Sequence, residues 1–397
     1  MFARLSCWFS IIMLSCLYPF FLTPEAVHAD GGAPNRAYIA GVTKGIGIID
    51  LSQQKVSNPM AITGDPHMIL LSLNGNLLYA TEPQLQRVAV ISAATGETVC
   101  TAPVPGHPTL LAMDNATILF VASNDASSVT EIDPANCHIL HLFQLNEPVY
   151  GIGVAAVGGS LSSGNQLWVA TSTVLTVFDD ISDSQIKEIP IPGGPRSISI
   201  PPGTAVYVTT QQGSVITVDL TTYQVVTVIS GGSYGSMDFD ENTSEVYVPD
   251  QKNQQLVVLR PVSPGCALPQ EPQRTIPLEA KPVSVAVTSD GQLALVALED
   301  GKVAMCDLPA HQITNTFDVG GKPHFIITGL NPPSLPTTSQ QTQTSQQAQP
   351  PQTLLVILFI GVLLLAPLIL LIVAKKRKIR KRRKNRRKMR KRKRASP

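Results

Sequence analysis

The stretch Gly320-Gly-Lys-Pro-His-Phe-Ile-Ile-Thr-Gly-Leu330 decides how the chain folds. It opens with a Gly/Pro corner, runs into a short apolar strand and stops. Elsewhere in the chain such a corner is followed by a tight turn and a strand centred on an aromatic residue. Here those pieces are missing. They stand at the other end, at Arg36-Ala-Tyr-Ile-Ala-Gly41, which in turn lacks an opening strand. Each end holds what the other needs, so the two are expected to pair in one sheet.

Between these ends the chain repeats. A short strand centred on a large apolar residue recurs at Tyr38, Tyr79, Phe120, Trp168, Tyr207, Tyr247 and Leu295, at spacings of 41, 41, 48, 39, 40 and 48 residues. Pairs such as Asn74-Gly75, Pro202-Gly203 and Asp290-Gly291 precede it and suit the tight turns of hairpins. A second β-rich run follows, as in Arg87-Val-Ala-Val-Ile-Ser92 and Ser214-Val-Ile-Thr-Val-Asp219, and then a third. The next unit begins at a corner carrying Pro66, Pro108, Pro148, Pro195, Pro282 or Pro323; around Gly231 to Gly235 the proline is absent.

Four strands every 40 to 45 residues or so is the period of a propeller blade, and seven units make a closed ring. The expected class is therefore all-β: a seven-bladed β-propeller of four-stranded blades over residues 36–330, closed by its C-terminal strand. The units NGNLLYATEPQLQRVAVISAATGETV (74–99), GTAVYVTTQQGSVITVDLTTYQVV (203–226) and TSEVYVPDQKNQQLVVLRP (243–261) resemble the YVTN-repeat β-propellers. The resemblance implies the fold, and that fold hosts binders, scaffolds and enzymes alike. Two units are longer, at Val157 to Asn165 and Pro261 to Arg274, and blade topology puts both insertions on the face opposite the Gly/Pro corners.

The flanks are of a different character. Residues 1–29 read as a secretory signal: Arg4, an apolar run from Phe9 to Leu22, and Val27-His28-Ala29 as cleavage site. Residues 30–35 form a short lead. Residues 331–352 are an uncharged Pro/Ser/Thr/Gln linker. Residues 353–374 read as one transmembrane helix, with 21 uncharged residues from Leu354 to Ala374. At 1.5 Å each these extend about 31 Å, the thickness of a hydrocarbon core. The basic tail, 375–397, holds 17 Lys or Arg among the 20 residues from Lys375 to Arg394. Positive charge stays on the cytoplasmic side, so the propeller is expected outside and the tail inside. Lys375, Lys376, Arg377, Lys378 and Arg380 would meet anionic lipid headgroups. The total charge of +2 hides this asymmetry: residues 30–374 carry 12 Lys and Arg against 27 Asp and Glu, about −15. So acidic a body does not wrap nucleic acid.

Candidate chemistry is sparse. The residue after each corner proline begins an inner strand and can face the central channel. His67 and His324 take that place on neighbouring blades, Arg196 takes it across the funnel, and His107 precedes Pro108. These four form a candidate channel-mouth ligand site, with His67 and His324 as the metal candidates. Asp50, Asp133, Asp179, Asp219 and Asp307 recur at a strand end, where a carboxylate caps the following turn. Cys266 with Cys306 is the disulfide expected first. The sequence has no nucleophile elbow, metalloprotease helix, phosphate loop or dinucleotide fingerprint. The leading expectation is a monomeric, exported, non-catalytic binding or scaffolding module for a protein, peptide or envelope glycan, with no cofactor. The alternatives are a metal-dependent, lactonase-like hydrolase at the channel mouth and nucleic-acid binding through the basic tail.

Overall fold

The computed structural model describes residues 35–114, 118–156, 165–203, 205–261 and 274–329. They lie in the first of two units, Met1–Leu335; the second, Pro336–Pro397, falls outside the described residues. So do the signal, the linker, the span expected over 353–374, the tail lysines and arginines, and most of both insertions. Among the described residues no helix is long and apolar enough to cross a membrane.

Strands β1 to β28, numbered along the chain, form seven four-stranded antiparallel sheets. Six sheets take four consecutive strands each. The seventh has the order β28-β1-β2-β3, where β28 is Phe325–Gly329, β1 Arg36–Ala40, β2 Ile46–Asp50 and β3 Lys55–Met60. The register sets Arg36 opposite Gly329, Tyr38 opposite Ile327 and Ala40 opposite Phe325. The backbone N–H of His324 donates to the carbonyl of Ala40 at 2.9 Å, and that of Lys322 to Gly41 at 2.7 Å. The two chain ends thus complete one blade, as their half-repeats require.

The core lies between blades. Tyr38 packs between the first and second blades, while Ala37 and Ile39 pack between the seventh and the first. The same division holds for Tyr79, Phe120, Trp168, Tyr207, Tyr247 and Leu295: each points to the following blade and its two neighbours to the preceding one. Period-2 alternation sends successive side chains to opposite faces, and here both faces are covered. Trp168, Tyr38, Tyr79, Tyr207 and Phe120 are the largest fully buried side chains. Burying each stabilises by roughly 2 to 3 kcal/mol.

The recurring aspartates cap turns. The Oδ1 atoms of Asp50, Asp133, Asp179, Asp219 and Asp307 accept the backbone N–H of Gln53, Ala135, Ser182, Thr222 and Ala310 at 2.6–2.9 Å. Four residues after each aspartate the backbone turns left-handed, at Gln54, Cys137, Asp183, Tyr223 and His311, with φ of 49–58°. The Ser182 and Thr222 N–H groups hold the carboxyls of Asp179 and Asp219 below their ordinary range, and the Ser52 hydroxyl followed by the Gln53 N–H does so for Asp50.

One cysteine expectation needs correcting. The disulfide joins Cys100 to Cys137, with Cα atoms 6.0 Å apart. Cys100 lies on β7 (Thr98–Pro103), the outer strand of the second blade, and Cys137 in the turn after β10 (Ser128–Asp133) of the third. Cys306 is a buried free thiol instead of the partner of Cys266, which lies outside the described residues. Its side chain belongs to the apolar packing between the sixth and seventh blades, and burial pushes the thiol up to about 12. The pairing was hidden because an outer strand of one blade and a turn of the next approach each other only once the two blades pack.

Ending the chain at Gly320 removes β28. The expected outcome is loss of cooperative thermal unfolding, restored by a synthetic peptide of residues 320–330. The disulfide closes a loop of 37 residues. Cys100→Ala with Cys137→Ala should therefore lower stability by about 4 kcal/mol in denaturant unfolding.

Candidate functional site

The Gly/Pro corners deliver two histidines to one place. His67 precedes β4 (Ile69–Leu71), the inner strand of the second blade, and His324 precedes β28. Their rings stack with centroids 5.0 Å apart and planes within 16°. Gly41, at φ 87°, makes room: a Cβ there would lie 2.8 Å from Cδ2 of His324. Nδ1 of His67 is buried without a hydrogen-bond partner. Burial, and then the neighbouring His324, lower the pKa of His67 below its ordinary value.

The other two candidates belong to other corners, those of the third and fifth blades. His107 is exposed and donates its backbone N–H to Oδ1 of Asp125 at 2.9 Å, while its Nδ1 lies 2.5 Å from Oδ2. The Ser123 hydroxyl and then His107 hold the Asp125 carboxyl well below the carboxylate range. His107 therefore braces its own corner. Arg196 is exposed on β16 (Pro195–Ser199), the inner strand of the fifth blade. Among the described residues no group of three or more His, Cys, Asp or Glu is placed to hold a metal ion.

Alongside the histidines the channel contains a cavity of about 280 Å³. Its walls come from the inner strands of the first, second, third, sixth and seventh blades, including Leu70, Met113, Phe239, Val285, Phe325 and Ile327. Leu73 and Glu241 line its end away from the corners. The space coincides with an irregular blade. The inner strand of the sixth blade, β20 (Asp238–Phe239), has only two residues, and it follows the corner that lacks proline. The chain before it pairs sideways with the seventh blade: Ser236 N–H donates to the Val283 carbonyl at 3.1 Å. Asp238 then takes the place of a backbone acceptor, its Oδ2 receiving the Val287 N–H at 2.7 Å. The Val287 carbonyl in turn accepts the Thr328 hydroxyl at 2.9 Å. This chain of bonds crosses the sixth, seventh and first blades and fixes Asp238 and Thr328 in the cavity wall.

A second cavity, of about 230 Å³, lies at the junction of the third and fourth blades and is lined by Gln144, Glu147, Thr173, Gln185 and Glu188 among others. Near the same junction, burial and the carboxylates of Asp183, Asp114 and Asp180 push Glu131 up to about 7. Reading the sequence missed both features and the channel cavity. For the cavity there was one signal, the missing corner proline. The Glu131 environment had none, because it comes from burial and from carboxylates distant in sequence, Asp180 and Asp183 of the next blade and Asp114 of its own.

Searches of protein families and of curated proteins give no match to the chain. Solved structures do match. Apo AztD from Citrobacter koseri is 11% identical with a TM-score of 0.57, over 75% of this chain and 98% of that one. The Cps50 (Swd1) β-propeller domain from Myceliophteria thermophila is 14% identical with a TM-score of 0.54, over 67% and 90%. The Kuenenia stuttgartiensis hydrazine synthase is 18% identical with a TM-score of 0.53, over 61% and 76%. At these identities the likeness shows the propeller fold alone.

The depressed pKa of His67 sets a sign for stability. The unfolded chain takes up the proton first, so the contribution of neutral His67 is complete above its ordinary pKa of 6.5 and is lost as pH falls below that value. Melting temperature should drop between pH 7.5 and 5, and His67→Gln should flatten the profile.

Proposed function

We propose that the chain is an exported, membrane-tethered propeller that binds a protein, peptide or envelope glycan without transforming it. The observation that carries the reading is the channel cavity, an apolar space with a few fixed polar groups, the usual form of a ligand site. The recurring aspartates favour binding over catalysis, since their carboxyls are committed to turns. Export draws support from the Cys100–Cys137 disulfide, which persists in oxidising compartments. The tether rests on the apolar run from Leu354 to Ala374 and on the basic residues after it. In this reading Lys375, Lys376, Arg377, Lys378 and Arg380 contact anionic lipid, and the tail fixes topology without serving nucleic acid.

A metal-dependent hydrolase has one observation in its favour, the stacked His67 and His324 with an unpartnered Nδ1. Metal present in stoichiometric amount in the purified chain, and lost on replacing both histidines by alanine, would establish it in place of the binding reading.

The binding reading is tested by cross-linked capture from envelope extracts with the full chain in detergent. Leu73 is partly exposed at the end of the cavity, so Leu73→Glu leaves folding intact. It is expected to abolish capture, whereas Arg196→Ala should not change it. Capture indifferent to Leu73→Glu removes the channel as the site.

A further inference from the structure

We infer that the channel cavity takes an unbranched, uncharged alkyl chain, as borne by an acyl group, which enters past Leu73 and lies along the inner strands. The inference rests on the binding reading and names the chemistry of that site: a protein, peptide or glycan partner offers it when it carries an acyl chain.

Three observations lead to it. The first is the wall. Twelve of the fifteen described residues that line the cavity are apolar, among them Leu70, Met113, Val285, Phe325 and Ile327. A cavity with such walls favours apolar guests over water. The second is that the polar side chains in the wall are already engaged. Asp238 accepts the Val287 N–H, Thr328 donates to the Val287 carbonyl, and Asp238 and Glu241 make further interactions of their own. These bonds belong to the joining of the sixth, seventh and first blades, so they hold the wall in shape before a ligand arrives. A polar or charged ligand group would give up its water for side chains that have other partners. An anion would also meet the acidity of the body, about −15. The third is depth. The lining runs along the inner strands from Leu70 to Leu73 and from Phe325 to Thr328, three residue steps or about 10 Å. A Leu or Ile side chain does not reach that far. Spread over this depth, about 280 Å³ makes a slender space, which one extended chain fills. Leu73 is partly exposed at the end away from the corners and gives the chain its way in.

Two sources supply this chemistry: a free lipid and a partner that carries an acyl group. The experiment is calorimetric titration of the full chain at pH 7 with n-alkanols from propanol to octanol. The chain is held in a fluorinated surfactant, whose tails mix poorly with hydrocarbon and leave the cavity free. Each added methylene should tighten binding about fourfold until the alcohol fills the cavity, beyond four carbons. Octanoate should bind at least about tenfold more weakly than octanol. Met113 and Ile327 are half-buried in the wall, and Met113→Trp and Ile327→Phe each take up part of the space. Either variant should end the gain at a shorter alcohol, with melting temperature unchanged. A lipid that stays with the purified chain and is displaced by octanol identifies a free lipid as the source. A captured partner released by octanol identifies an acylated one, and either supports the inference. No binding of any alkanol, a gain that stops by four carbons as for a side chain, octanoate as tight as octanol, or an unshifted series in both folded variants overturns it. If capture in the same surfactant still depends on Leu73 in that event, the binding reading stands without its acyl ligand.

Discussion

The structure depends on the double burial of the second strand of each blade. Tyr38 faces one neighbouring blade while Ala37 and Ile39 face the other, and the pattern repeats around the ring. A strand buried on both sides cannot sit at the end of a stack. An open array would leave Ala37 and Ile39 exposed on one end face and Leu295 on the other. Closure is therefore a requirement of this sequence. It is met by β28, whose pairing with β1 brings the last repeat half against the first. Gly329 lets the seam close tightly, because a Cβ there would lie 2.2 Å from Cδ2 of Leu71 in the second blade.

Closure brings together the histidine pair of the candidate site, and an irregular blade opens the cavity. His67 and His324 stand 257 positions apart in the sequence numbering, and their rings stack because the seam makes their blades neighbours. The cavity beside them exists because the sixth blade departs from its repeat. Without a corner proline its chain runs toward the seventh blade before joining its own sheet, and only Asp238 and Phe239 remain in the inner strand. A carboxylate supplies what the shortened ladder lacks. The same departure that weakens local regularity thus opens space and places charge beside it.

Much of the fold was legible in the residues. Tyr79 and Tyr207 mark their strands, Asn74-Gly75 and Pro202-Gly203 mark turns, and the half-repeats at both ends announce closure. The strand-end aspartates read correctly as caps, because an Asx turn is a local interaction within a few residues. The site was legible only in part. His67 and His324 were found by counting blades. His107 was grouped with them on sequence position alone, and its commitment to Asp125, 18 residues away, was not visible.

By itself, then, the sequence determined the period, the number of blades, the closing strand and the acidity of the body, since these follow from local pattern and composition. Tertiary structure decided the Cys100–Cys137 bond, the raised pKa of Glu131 and the cavity at Asp238. The physical reason is common to all three. Each arises where residues of different blades meet, at distances and burial that the repeat pattern does not encode. The opening half-repeat at Gly320 stands on the border between the two: its pairing and the nearness of His324 to His67 were written in the chain, and the parallel stacking of the two rings was not.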